Sequence, residues 1–504
     1  MKNSFTYLAG IILLLTFGIT GQTVAQIPAN IDSISPPDVI RKAKAALEAN
    51  FDNLKEHRNF MFAMGYKNPR LATQYKAWME KYPKKAGIPL GIGTVYFNAE
   101  MPEAKAYLLK AAAIEPQNAE IWFMLSGDAG MRGQDDLSTE YMKKASLTDT
   151  SNVNYAVSYL MSLRDSAPDY KQKVFDFVKQ FPASERGAQA LYLLARSDTS
   201  LHNKITYFEE LRKLYPPQKF NWSSSGMAEL ADAYMKTNPQ KALTLINEMG
   251  DNKDLKMRKP VAEALIRINE LQQNQNYKEA LTELNQIKDS KLDHIDDFIT
   301  LKKAALLEAA GDAKAAYDTL AIKFAKLPTD ELYTALTLYG KKIGKEEVQI
   351  TKDVKTIRDA AAVPAYPFYL GMYTGKGNLS LKSLKGKVVL LTFWFPGCAP
   401  CKEEFPHFEA VLNRFKNKGV TYVGINVYPT QDAYVIPFIK NNKYSFIPLR
   451  GSAAFARDGY GVYSEPQNFL IDQDGKIVFK GFRIDNSNHR TLELMISALL
   501  KKDS

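Results

Sequence analysis

Cysteine is almost missing from this chain: 504 residues contain two, Cys398 and Cys401, three positions apart. So small a number excludes a disulfide-stapled scaffold and any cysteine-rich metal site, and it leaves one pair on which cysteine chemistry can rest. Histidine is also scarce, with His57, His202, His294, His407 and His489 scattered along the chain. No metal-ligand spacing assembles from them, and His407, six residues after Cys401, reads as a helix-surface residue rather than a ligand. No metal and no cofactor is expected. Charge of one sign is never concentrated: Lys+Arg 66 against Asp+Glu 55 gives a formal net charge of +11, with no run of five like charges. That dispersal describes a solvated surface and excludes the basic patch that nucleic-acid binding needs. Long apolar runs are absent after residue 19, which excludes a transmembrane helix in the remainder. Neither a Ser/His/Asp arrangement nor a phosphate-binding glycine loop occurs.

What the chain does have begins with an address. Met1-Lys2-Asn3 is short and basic, residues 7–19 are apolar, and Thr23-Val24-Ala25 has the small-x-small form that a signal peptidase cuts. Residues 1–25 therefore read as a cleavable signal peptide. The apolar stretch falls short of the roughly 20 residues that span a bilayer, and no cysteine near the cut offers a lipid attachment point. The mature protein is expected in an exported, periplasmic type of compartment, with no transmembrane segment. In such an oxidising compartment a lone Cys-x-x-Cys is redox-active rather than metal-binding.

A chain this long must divide into domains. Residues 26–350 are rich in Ala, Leu, Lys, Glu, Gln and Tyr, with apolar residues at helical spacing and few strand signals. Segments recur at an offset of 34: Tyr107-Leu108-Leu109-Lys110-Ala111 returns as Tyr141-Met142-Lys143-Lys144-Ala145, and Phe177-Val178-Lys179-Gln180-Phe181-Pro182 as Leu211-Arg212-Lys213-Leu214-Tyr215-Pro216. A 34-residue unit of two helices with proline between units resembles the tetratricopeptide repeat. The resemblance implies an α-helical solenoid whose hairpins stack because none can bury its apolar face alone. An irregular helical array without true repeats is the competing reading. Either form offers a concave surface to a protein partner, and its aromatic residues, at helical spacing, read as core rather than as contacts.

Residues 351–504 change character. Lys345 to Ala362 is charged and then alanine-rich, and Val363-Pro364-Ala365-Tyr366-Pro367 breaks any helix. Short strand-like runs then alternate with helical segments, the pattern of an α/β domain. Residues 388–393 read as a buried strand; the glycine and prolines after them predict a sharp turn into a helix that carries Cys398 in its first turn and Cys401 one turn on. Helix N–H groups and the helix dipole would then favour a Cys398 thiolate. Two cysteines three apart on one turn can form a disulfide without moving the backbone. Cys398, at the open end, is expected to attack a substrate disulfide, and Cys401 to resolve the mixed disulfide. A purely structural disulfide explains the spacing poorly, because so short a loop contributes little chain entropy.

These residues carry a second resemblance. Leu381-Lys382-Ser383-Leu384-Lys385-Gly386-Lys387 leads through Val388-Val389-Leu390-Leu391 to Phe393-Trp394. Cys398-Ala399-Pro400-Cys401 follows, with Glu404 and Pro406, and then Tyr463-Ser464-Glu465-Pro466-Gln467-Asn468-Phe469-Leu470-Ile471-Asp472 with Asp474-Gly475-Lys476. Together they resemble the TlpA/ResA branch of thioredoxin-like, extracytoplasmic thiol–disulfide oxidoreductases. The resemblance implies a thioredoxin-like fold, a redox-active Cys398–Cys401 disulfide, and Pro466 as a cis-proline facing the cysteine pair. It implies oxidised protein substrates, apocytochromes among the candidates, and a membrane thiol-transfer protein as reductant donor. In the family an acid at the Glu404 position accepts a proton near the buried cysteine; a solvated helix-surface glutamate like Glu403 is the alternative. Thioredoxin's aspartate two residues before the tryptophan is here Thr392. Glu465 before the proline and Gly397 before the first cysteine depart from the family pattern, and with Trp394 they are the substrate-binding candidates. Glu465 could equally face solvent without a role. A peroxidatic cysteine would have threonine three residues before it, where this chain has Phe395. The activity expected is reduction of protein disulfides, its direction set by a potential the sequence does not encode. The rival reading is an interaction protein in which the helical array does the work and the redox domain is vestigial.

Overall fold

The computed structural model describes residues 33–164, 166–250, 252–287 and 295–500. The expected signal peptide at residues 1–25 and His294 lie outside the described residues. Among those described, twenty α-helices from Pro37–Ala49 to Glu347–Ala361 precede the first strand. Their starts follow from local chemistry. Side chains of Asn53, Asn68, Asn152, Ser184, Ser200 and Thr329 accept first-turn N–H groups, and Pro69 and Pro239 open helices where a missing N–H costs nothing.

Helices pack as successive hairpins, for example Gly87–Asn98 on Ala104–Ile114 and Ala119–Met131 on Asp135–Thr148. Gly93 lets the first hairpin close, since a Cβ there would stand 2.9 Å from the Leu108 side chain. Each hairpin leaves an apolar face for the next, so the array's core is three successive clusters, centred on Tyr75 and Trp78, on Phe208 and Tyr215, and on Tyr317 and Leu336. One charged pair sits inside: Arg258 meets Asp232 with both contacts at 2.8 Å. The last array helix, Glu347–Ala361, spans the composition change near residue 350.

The C-terminal domain has eight strands: β1 Val363–Pro364, β2 Tyr369–Gly371, β3 Asn378–Ser380, β4 Val388–Trp394, β5 Val420–Asn426, β6 Ile447–Arg450, β7 Gln467–Ile471 and β8 Lys476–Lys480. Six form one sheet in the order β1-β8-β7-β4-β5-β6, and β2 and β3 form a hairpin beside it. β4 runs parallel to β5 and antiparallel to β7, and is buried at every residue. This is why it reads in sequence as an apolar run, interrupted by Thr392, rather than an alternating one. One face of the sheet carries helices Ala399–Leu412, Asp432–Asn442 and His489–Leu499 over Phe405, Phe408, Phe438 and Leu492. Phe368, Leu449 and Phe469 fill the other face. Each such buried side chain contributes about 1.5–3 kcal/mol.

The two parts are joined by more than the linker. The turn between Ala119–Met131 and Asp135–Thr148 docks against helix Asp432–Asn442. Tyr434 donates its hydroxyl to Asp128 Oδ1 at 3.0 Å, and Arg132, bound to the same carboxylate at 2.7 Å, lies 5.3 Å over the Tyr434 ring. Asn441 and Asn442 donate to the carbonyls of Arg132 and Gly133 at 2.8 and 3.4 Å. Gly133 is required here: its φ is +69, and a Cβ would lie 2.1 Å from the Asn442 amide. No described helix is long and apolar enough to cross a membrane.

Candidate active site

β4 ends at Trp394, and the chain turns through Phe395-Pro396-Gly397, with the Cys398 N–H donating to the Phe395 carbonyl at 3.0 Å. Cys398 is the N-cap of helix Ala399–Leu412, and its Sγ accepts the Cys401 N–H at 3.3 Å. Pro400 sits in the first turn, where its ring pre-sets the helical φ. The two cysteines are joined as a disulfide with Cα atoms 5.3 Å apart. In this oxidised state Cys398 is 3% exposed and Cys401 fully buried. Both are buried, so Cys398 is far less open than its place at a helix start suggested.

Glu404 is not a solvated glutamate. It is 5% exposed, one helical turn after Cys401 and therefore on the same face. Its carboxylate accepts from Asn468 Nδ2 at 2.9 Å, from the Ile484 N–H at 3.1 Å and from Arg483 at 3.5 Å. Burial pushes its pKa above the usual carboxylate range, against the opposing pull of Arg483 and these donors. Asn468 is itself oriented by Thr392, whose hydroxyl donates to Asn468 Oδ1 at 2.9 Å. The position that carries an aspartate in thioredoxin therefore supports Glu404 here through an amide. Glu403, by contrast, faces the array and pairs with Arg164 at 2.8 Å.

The Glu465–Pro466 peptide is cis. Phe393 pairs with Gln467 across β4 and β7, so Pro466, one residue earlier, stands level with the end of β4 where the cysteine turn departs. Pro466 is buried, and the half-buried Glu465 carboxyl is raised in pKa, mainly by desolvation. Gly397 is exposed, and its N–H donates to Gln431 Oε1 at 2.7 Å. Trp394 does not belong with the substrate-facing residues: it is fully buried against Phe405, Phe438 and Phe446 and supports the turn from below. The apolar helix face that follows it closes over the ring.

Several participants carried no mark in the sequence. Gln431 and Asn468 are ordinary amides until the fold brings them to residues 34 and 64 positions away. Lys402, next to Cys401, donates Nζ to the Gly130 carbonyl of the array, and desolvation pushes its pKa down to about 8, opposed by Asp135. His407 and His489 meet at 3.0 Å, and among the described residues no group of three ligating side chains comes together.

A family model for the AhpC/TSA family matches residues 364–480. The thiol-disulfide oxidoreductase ResA of Bacillus cereus is 34% identical over 145 residues, spanning 29% of this chain and 76% of that protein. The chain belongs to the ResA family of thiol-disulfide oxidoreductases. ResA of Bacillus subtilis is 38% identical over 111 residues, 22% of this chain and 61% of its own. A crystal structure of a thiol:disulfide interchange protein from Chlorobium tepidum aligns at 25% identity with a TM-score of 0.26, over 28% of this chain and 99% of that one. The residues that the family model matches lie in the C-terminal domain and include the Cys398–Cys401 disulfide.

Proposed function

We propose that this protein is an exported reductase of protein disulfides, acting through Cys398 and Cys401. The observation that carries the reading is the Cys398–Cys401 disulfide at a helix N-terminus, with Cys398 as the capping residue. In the reduced enzyme the Cys398 thiolate, favoured by the helix N–H groups, attacks one sulfur of a substrate disulfide. A mixed disulfide forms, and the first substrate sulfur leaves as a thiolate that takes a proton from solvent. Cys401 gives its proton to Glu404, whose pKa burial raises so that it is a better proton acceptor than a solvated carboxylate, and then attacks Cys398 Sγ. The second substrate thiol is released and the Cys398–Cys401 disulfide closes. Two electrons pass from the cysteine pair to the substrate, and a membrane thiol-transfer protein restores the dithiol. Pro466 and its cis peptide offer backbone groups to an extended substrate segment, with Gly397 and Glu465 setting which segments are accepted. Oxidised apocytochromes are among the substrates this reading admits, and export rests on the signal-like residues 1–25. The helical array, repeat-like in sequence, holds the redox domain and offers its remaining surface to a protein partner.

The decisive experiment expresses Cys401→Ser with its native leader and looks for mixed disulfides in the exported fraction. Adducts that vanish in a Cys398→Ser/Cys401→Ser variant are the expected result. An exported fraction without Cys398 adducts would overturn the proposal.

A further inference from the structure

A chain of hydrogen bonds runs from the array to the cysteine turn. Gln431 lies in the short turn Pro429–Gln431 after β5 and is 3% exposed. Its Oε1 accepts the Gly397 N–H at 2.7 Å, and its Nε2 donates to Oε1 of Glu100 at 2.8 Å. The second Glu100 oxygen accepts the Thr430 hydroxyl, also at 2.8 Å. A backbone donor on one side and a carboxylate on the other leave the amide one orientation that satisfies both. Glu100 belongs to the array, 331 residues from Gln431 in sequence.

The backbone at Glu100 gives a second, independent sign of selection. It follows helix Gly87–Asn98 and its cap Ala99, with φ +54, closing the helix through Glu100 N–H to Phe97 O and Met101 N–H to Tyr96 O. Helix ends of this kind favour glycine, because a side chain in the left-handed region crowds the backbone. The array uses glycine at positive φ at Gly65, Gly133, Gly250, Gly311 and Gly344, and Gln275 is the other non-glycine with positive φ among its described residues. A glutamate held there against local preference, with both oxygens directed at the redox domain, points to a task at that domain.

We propose that Glu100 is a positioning residue for thiol–disulfide exchange: from the array it locks the Gln431 amide, which holds the Gly397 N–H and so fixes the turn that presents Cys398. The proposal rests on the reading of Cys398 as the attacking sulfur. Its physical content is that Cys398 gains from the helix N–H groups only while the Phe395–Cys398 turn keeps it at the N-cap. Freeing Gln431 lets the turn move, so the reduced form loses part of its thiolate stabilisation and becomes a slower nucleophile and a stronger reductant. The array thereby sets the reactivity of a site it does not contain.

The test uses the full-length protein and two substitutions at one position. E100G removes the carboxylate while giving the helix end the residue its backbone prefers, so impaired folding does not confound the result. In reduced E100G, iodoacetamide should alkylate Cys398 about threefold more slowly at pH 7 than in the parent protein. Its midpoint potential against a dithiothreitol buffer should move to more negative values. E100Q keeps an oxygen that can accept the Gln431 amide and should restore both readouts. E100G should add nothing in a Q431A background, because both act through one link. E100G with parental rate and potential would overturn the proposal. So would E100Q as slow as E100G, which would mean that charge acts through space, or additive effects of E100G and Q431A. If Cys398 is not the cysteine alkylated first in the parent protein, the functional reading itself fails, a result separable from all of these.

Discussion

Replacing Glu404 by glutamine tests the site where burial and chemistry meet. The parent carboxylate satisfies Asn468 Nδ2 and the Ile484 N–H with separate oxygens. Asn468 cannot turn over to help, because its Oδ1 is taken by Thr392 and its Nδ2 also donates to the Phe482 carbonyl at 3.0 Å. Glutamine brings one acceptor to two donors, so one buried donor is orphaned at a cost of about 1–3 kcal/mol. Opposing this, glutamine has no ionised form to desolvate. The Glu404 pKa is raised in the folded state, so its contribution to stability is complete below about pH 4.3 and is lost as pH rises through the folded value. The deficit of Glu404→Gln relative to the parent should therefore be largest near pH 4 and shrink toward pH 7.5. Urea unfolding of the oxidised full-length proteins across that range measures it. A deficit that grows with pH would refute the burial argument. The same variant should also prolong the mixed disulfide by about a hundredfold, the usual weight of a positioned proton acceptor. Parental resolution kinetics would remove Glu404 from the mechanism while leaving it as a structural residue.

Three further outcomes follow from packing and burial. Gly397→Ala places a Cβ 3.0 Å from the Gln431 amide, and overpacking there should cost about 1 kcal/mol, read as a fall in melting temperature; an unchanged value would mean the turn yields freely. Asp128→Ala strips the acceptor from both Tyr434 and Arg132 and should loosen the docking of the redox domain by about 2 kcal/mol, seen as faster limited proteolysis near Ala362; unaltered cleavage would show that the interface does not depend on this carboxylate. Asp232→Ala leaves the Arg258 guanidinium buried without its partner and should destabilise the array by about 3 kcal/mol in denaturant titration, while the potential of the cysteine pair stays as it was; a neutral substitution would refute the burial of that pair.

Much of the redox domain was legible before any coordinates. β4 is apolar but for Thr392 because it is buried on both faces, and the proline and glycine after it mark the turn that delivers Cys398. Trp394 shows the limit of such reading: four residues before Cys398 in sequence, it lies beneath the site, because a strand's end residue can point to either side of the sheet. Glu404 and Glu403 show it again. Adjacent and identical in type, one is buried against Asn468 and the other pairs with Arg164 of the array, a difference that helix phase and the surrounding fold decide.

The sequence alone determined what depends on neighbours along the chain: the cysteine spacing, the helix-capping residues, the helical period of the array and the composition change before Val363. Tertiary structure alone decided what depends on residues hundreds of positions apart. The Glu100–Gln431–Gly397 link and the seat of Tyr434 on Asp128 exist only because folding closes loops of more than three hundred residues. Glutamate, glutamine and glycine carry no local pattern that foretells such contacts. Their donors and acceptors acquire meaning once burial withdraws the water that would otherwise satisfy them.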